Sequence, residues 1–180
     1  MKIKMMTILK NLSNMAFHPK GIVVHSMGEY IRTTDGVKYA KDFLTDIGLS
    51  VHGFIKPNGD YDRMKYSSQK AYHAGVSQHM EYVNLNSWYL GFEILVEGVH
   101  NYSTFTKAIK HSDAYTDAQI DTTISVIQFW IDHYSIPLDR VVRHSDVSGD
   151  DIRGAGKGKI DPGSGLNWDY IISNLCGPSK

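Results

Sequence analysis

Two histidines and an aspartate stand where a hydrolytic metal site would want them. His25 closes the run Gly21-Ile-Val-Val-His25, and His144 follows Arg140-Val-Val-Arg143. Asp161 lies in Lys159-Ile-Asp-Pro-Gly163, where Pro162 stiffens the chain beyond it. Strand ends open onto the edge of an α/β sheet, where ligand sites gather. Two imidazoles and a carboxylate suit Zn2+ and leave a fourth position for a water, whose pKa the metal lowers to about 7. The chain holds nine histidines, however, and by pattern alone each is as readily a surface or hydrogen-bonded residue as a ligand. Glu93 is a carboxylate inside the otherwise apolar run 88–96. Burial would raise its pKa toward the range of a general base, while an ion pair would make it purely structural. Lys159 can hold an ammonium beside developing negative charge, or lie solvated next to Lys157.

These side chains need elements to hold them, and strand and helix signals alternate along the chain. Residues 21–25 read as a short buried strand. Residues 37–47 carry apolar side chains at Val37, Ala40, Phe43, Leu44 and Ile47, a helical spacing closed by Gly48. Residues 51–55 and 61–65 flank Asn58-Gly59, the chemistry of a hairpin turn. The run 88–96 predicts a central strand, with Trp88 and Tyr89 in the core. Thr116-Asp-Ala-Gln119 resembles a capping box, and Ile120, Ile124, Ile127, Ile131 and Tyr134 predict one helix face before Pro137. The Gly- and charge-rich stretch 147–159 reads as a loop, and Asn167 as the cap of a last helix over 168–175. The expectation is an α/β fold, a single domain with a central mixed β-sheet flanked by helices. It would span residues 21–176, with an N-terminal extension over 1–20 and a tail over 177–180.

Composition narrows the function classes. The 180 residues are 42% hydrophobic and 21% charged, ordinary for one globular domain. A formal net charge of zero argues against a nucleic-acid binder that works by neutralising phosphates. The single cysteine, Cys176, excludes an intrachain disulfide and an all-cysteine zinc site, and its place in the last helix makes it a bland thiol. The apolar stretch 5–9 is cut short by Lys10 and Asn11, so it does not read as a signal peptide, and no run approaches the roughly 20 residues that span a bilayer. The expectation is a monomer made in the cytoplasm, without stable membrane association.

An ordered set of motifs adds a resemblance. The strand-His of Ile22-Val-Val-His25 is followed by His52-Gly-Phe54 with Asn58-Gly59, then by Tyr72-His-Ala-Gly-Val-Ser77. Next come Asn84-Leu-Asn-Ser87 with Leu90-Gly-Phe-Glu93, then His144-Ser-Asp-Val147, Lys159-Ile-Asp-Pro-Gly163 and Asn167-Trp168. In this order the chain resembles the type 2 N-acetylmuramoyl-L-alanine amidases, which include phage endolysins, wall-recycling amidases and the related peptidoglycan recognition proteins. The resemblance implies that fold, and zinc held by His25, His144 and Asp161. It implies Glu93 as the catalytic acid and base, and Lys159 beside it. Tyr72 and His73 would line the substrate groove, and His52 would be structural. The implied partner is bacterial peptidoglycan, cut between N-acetylmuramic acid and L-alanine. A phage-type lytic enzyme is the first expectation; a cytoplasmic amidase recycling anhydro-muropeptides and a non-catalytic binding module are the alternatives. The chain departs from the pattern of the recycling enzymes in three places. Residues 149–156 look inserted, which leaves Asp150 or Asp151 open as alternative ligands; Ser26 stands where Asn is common, and Gly158 where Arg is common.

Overall fold

Strand β1 (Gly21–Met27) is buried at all of its seven positions, which is what a strand covered on both sheet faces requires. The computed structural model describes residues 17–28 and 36–178; most of the expected extension over 1–20, and the end of the expected tail, lie outside them. Among the described residues, β1 runs parallel to β6 (Tyr89–Leu95) along its whole length and to β7 (Val141–Arg143) on its other side. β6 pairs in parallel with β2 (Gly53–Ile55), and β2 pairs antiparallel with β3 (Tyr61–Arg63) through the Asn58-Gly59 turn. The order is β3-β2-β6-β1-β7, a mixed sheet with β6 in the middle, as the run 88–96 predicts. Tyr89 is fully buried, but Trp88, just outside the strand, is 40% exposed and does not belong to the core.

Alternation along the strands sorts their residues onto two faces. Ile22 and Val24 of β1 share one face with Leu90, Phe92 and Ile94 of β6. Ile127, Trp130 and Ile131 of α3 (Asp117–Tyr134) and Ile171 of α6 (Trp168–Ser173) pack on that face in one apolar cluster. Each such fully buried side chain stabilises the fold by about 1.5–3 kcal/mol. The opposite face carries two separate apolar clusters. Val23, Tyr89 and Val142 meet Ala74, Leu85 and Val147 at one end. Met27, Leu95 and Phe54 meet Val37, Ala40 and Leu44 of α1 (Gly36–Asp46) at the other. His25 and Glu93, partners in the β1–β6 register, fall between the two clusters.

Helix α3 begins as its sequence predicts: the Thr116 side chain accepts from the Gln119 amide while the Gln119 side chain accepts from the Thr116 amide. Its buried seam differs from the expected isoleucine stripe. Gln119, Thr123, Ile127, Trp130 and Ile131 face the sheet, and Ile120, Ile124 and Tyr134 are only half-buried. The cause is Gln119, whose Nε2 donates to the carbonyls of Leu95 (2.8 Å) and Ile55 (3.3 Å) at the ends of β6 and β2. Two buried strand-end carbonyls must find donors, and that requirement turns a polar residue inward.

The stretch 147–159 is not all loop: α4 (His144–Val147) runs into it and α5 (Asp150–Arg153) lies within it. Three further elements among the described residues are not expected from the sequence. These are α2 (Tyr102–Ala108), opened by a reciprocal Asn101–Thr104 cap, and a small hairpin of β4 (Gln78–His79) and β5 (Tyr82–Val83). Asn167 caps α6 as expected, accepting from the Tyr170 amide.

Candidate metal centre

His25 is delivered by the middle of the sheet, His144 by the turn where β7 becomes α4, and Asp161 by a chain segment that comes back alongside. That return is fixed by backbone: the Ser145 amide donates to the Asp161 carbonyl at 3.0 Å, and the Tyr115 hydroxyl donates to the carbonyl of Pro162. The Asp161–Pro162 peptide is cis. The three side chains are buried, at 1%, 4% and 9% exposure, and one ligand atom from each lies within 4.8 Å of the others. The expected trio is therefore brought together, and it is the one such group of His, Cys, Asp and Glu among the described residues.

The surrounding acceptors assign the protons on the rings. His73 Nε2 faces the Tyr89 carbonyl at 3.1 Å and so carries the hydrogen, leaving His73 Nδ1 as an acceptor. That nitrogen lies 2.8 Å from His25 Nε2, which must then donate. His144 has an acceptor at each nitrogen, the Ala74 carbonyl 3.3 Å from Nε2 and the Asp161 carboxylate 3.1 Å from Nδ1, and the tautomer with its hydrogen on Nε2 toward Ala74 is the one that frees Nδ1 for a metal. In both His25 and His144 the remaining nitrogen, Nδ1, presents a lone pair. Both lone pairs point at the same oxygen: Asp161 Oδ2 is 3.6 Å from His25 Nδ1 and 3.1 Å from His144 Nδ1. Besides the Ser26 amide, 3.5 Å from the same oxygen, a cation or an added proton between these electron-rich atoms relieves their repulsion. Bond lengths of about 2.0–2.1 Å around a tetrahedral zinc put neighbouring ligand atoms roughly 3.3 Å apart, and the two observed separations bracket that value.

The electrostatics agree. Burial, reinforced by His144 and resisted by Asp161, lowers the His25 pKa to about 4, so its lone pair is free at neutral pH. Burial alone would push the Asp161 carboxyl up, but a proton on His144 or His25 directed at it, which takes the place a cation would fill, holds it well below the usual carboxylate range. His73 is depressed well below its ordinary value by burial, then by His25 and His52.

The other expected site residues take varied places. Glu93 sits beside His25 across the β1–β6 register, with its side chain on the same face. Lys159 is exposed, its amide bonded to the Ser148 carbonyl at 2.8 Å, and its charge is close enough to disfavour a proton on His25. Tyr72 is 48% exposed, with the Lys70 ammonium over its ring. His73, expected in the groove, is instead buried beneath His25 with both ring nitrogens engaged. Its ring occupies the space over Gly91, where a Cβ would come within 2.4 Å of Nδ1. His52 is structural in its contacts, donating to the Gln69 carbonyl and accepting from the Gly91 amide. Asp150 turns away from the centre and accepts from the amides of Gly156 (3.0 Å) and Gly158 (2.6 Å), and neither it nor Asp151 belongs to the metal-type group.

The fold and this centre define a type 2 amidase architecture, and comparison with known proteins agrees. The sequence profile of the N-acetylmuramoyl-L-alanine amidase family matches residues 15–164. The chain belongs to that family. It is 27% identical over 132 residues to the 1,6-anhydro-N-acetylmuramyl-L-alanine amidase AmpD of Enterobacter cloacae, covering 73% of this chain and 60% of that protein. The chain thus spans less than two thirds of the length of this relative. Among solved structures, an endolysin N-acetylmuramoyl-L-alanine amidase from Clostridium intestinale superposes with a TM-score of 0.62 at 18% identity, covering 89% of this chain and 86% of that one. The amidase AmiD from E. coli, solved with anhydro-N-acetylmuramic acid-L-Ala-D-gamma-Glu-L-Lys, gives a TM-score of 0.61 at 22% identity, covering 91% of this chain and 61% of that one. No helix among the described residues is long and apolar enough to cross a membrane.

Proposed function

We propose that this protein is a zinc-dependent N-acetylmuramoyl-L-alanine amidase, hydrolysing the amide between N-acetylmuramic acid and L-alanine. The observation that carries the reading is the convergence of one ring nitrogen from each of two buried histidines and one carboxylate oxygen in a chain of this family. His25, His144 and Asp161 would hold the zinc. When bound, zinc lowers the pKa of a coordinated water to about 7 and polarises the amide carbonyl. Glu93, on the same face of the sheet as His25, takes a proton from the attacking water and returns one to the leaving amine. Lys159 holds its ammonium beside the oxygen on which negative charge develops. Tyr72, exposed at the end of the segment that runs under the metal centre, lines the groove for the substrate.

The curated relatives are named for anhydro-muramyl substrates, and this favours soluble anhydro-muropeptides as the substrate to try first. The endolysin likeness keeps intact peptidoglycan as the second reading. The test is mass spectrometry of both substrates after digestion by the purified protein, with and without a chelator. Release of stem peptides beginning at L-alanine, abolished by chelator and restored by zinc, is the expected result. Faster release from soluble anhydro-muropeptides supports recycling, and faster release from intact sacculi supports lysis. No release from either by zinc-loaded protein overturns the reading.

A further inference from the structure

The two histidines of the metal centre come from distant parts of the sheet, yet the second nitrogen of each is held by one short stretch of chain. His73 Nδ1 receives the hydrogen of His25 Nε2 at 2.8 Å, and the carbonyl of the next residue, Ala74, receives that of His144 Nε2 at 3.3 Å. The stretch is itself fixed by one side chain. Asn86 Oδ1 accepts the amides of both His73 and Ala74, each at 2.8 Å. Asn86 stands in a single turn of 3-10 helix, Leu85–Ser87, anchored by the fully buried Leu85, whose amide donates to Ser77 Oγ. On the opposite side, Gly91 leaves the space that the His73 ring fills.

We infer that His73 and Asn86 are positioning residues for the metal: Asn86 sets the His73–Ala74 segment, and the segment fixes the tautomer and ring orientation of both His25 and His144, aiming their Nδ1 atoms at Asp161. The inference rests on the zinc reading above. Neither residue needs to touch the substrate. His73 stacks no polar atom toward the open side, since Tyr89 and His25 take both of its nitrogens. Partners that hold the outer nitrogen of a metal-bound histidine typically change metal affinity by about 10- to 100-fold when removed.

The rings' chemistry supplies a discriminating pair of variants. An asparagine at position 73 places an oxygen close to the position of Nδ1 and can still accept from His25. A glutamine places its polar atoms near Nε2 and cannot. Zinc affinity of the full chain is measured by competition with a chromophoric chelator, and melting of the metal-free proteins serves as a control for folding. His73→Gln and Asn86→Ala are expected to bind zinc about 10- to 100-fold more weakly than the parent. His73→Asn and Asn86→Asp, which keep the acceptors, are expected to stay within about threefold, on the same principle that the held hydrogen decides. Parent-like affinity in both His73→Gln and Asn86→Ala overturns the inference, as does His73→Asn binding as weakly as His73→Gln. If His73→Gln does not fold, the Asn86 pair decides alone. Zinc bound by the parent at one equivalent, and lost in His144→Ala, shows that the zinc reading stands whichever way the variants fall. A parent that binds no zinc overturns both.

Discussion

The two faces of the sheet are built from the same strands and are equally buried, yet they are held by different physics. On the α3 side, Ile22, Val24, Leu90, Phe92 and Ile94 join one continuous apolar cluster. On the other side the apolar residues split into two clusters, and the gap between them holds His25, His73, His144 and Asp161, all buried. The first face needs volume and shape, and a lost methylene costs it a graded amount. The second needs partners, because a buried polar group without one costs far more than the bond itself stabilises. A strand can therefore carry a core and a reactive centre on alternate residues, provided each polar group on the reactive side has its donor or acceptor supplied from elsewhere in the chain.

This contrast can be broken most decisively at His144. His144→Ala is expected to lose zinc and essentially all turnover while keeping native circular dichroism, since the α3 face is untouched; stoichiometric zinc in that variant, read by elemental analysis, would end its assignment as a ligand. A smaller effect is expected at Glu93. Glu93→Gln should keep the metal and the fold but lower kcat by about 10²- to 10⁴-fold, the range of a general acid–base group. Near-parental turnover would make Glu93 structural and erase the catalytic character of that side of β6.

Buried histidines should also make stability depend on pH. Burial lowers His52 and His25 from 6.5 to about 4 in the folded, metal-free protein. Between those values the unfolded chain binds protons that the folded one refuses, so stability is full above about pH 6.5 and falls as pH drops toward 4. Each such histidine adds up to about 1.4 kcal/mol per pH unit to that slope. Urea melts of chelated protein across this window would show it, and His52→Gln should flatten the slope. A profile flat from pH 7 to 4 would contradict the burial of these rings. The smallest expected effect lies on the apolar face: Ile127→Val should cost about 0.5–1.5 kcal/mol and leave zinc affinity and the pH slope unchanged. A shift in zinc affinity from that substitution would show the two faces to be coupled.

Much of this was legible in the sequence because it is local. The Thr116–Gln119 cap, the Asn58-Gly59 turn and the Asn167 cap each depend on a few adjacent residues, and each forms where the sequence places it. The trio at the metal centre was legible through the ordered motifs and, for His144, through its place after a strand; His25, expected to close its strand, lies inside β1, which runs on to Met27. What escaped depends on partners far along the chain. Gln119 reads as a cap, and nothing near it announces the carbonyls of Leu95 and Ile55 that draw it inward. His73 reads as a residue of the substrate groove until the pairing of β1 with β6 brings His25 above it and Gly91 below. The cap of α2 went unread because its reciprocal partner at Thr104 is a threonine, where glutamate or glutamine is the usual signal.

The stretch between His144 and Asp161 is pinned to the Val76 carbonyl by Ser148 Oγ and Arg153 Nη1, and is otherwise knotted on itself. Asp150 gathers the amides of Gly156 and Gly158, and Arg153 Nε donates to the Lys157 carbonyl, so the segment closes on its own atoms before Lys159 leads into Asp161. A lariat of this kind behaves as a cassette. Residues could be inserted within the noose, or a fluorophore grafted at Ala155, without changing the distance between the two strands of chain that leave its knot, and the aspartate downstream would stay where the two histidines await it.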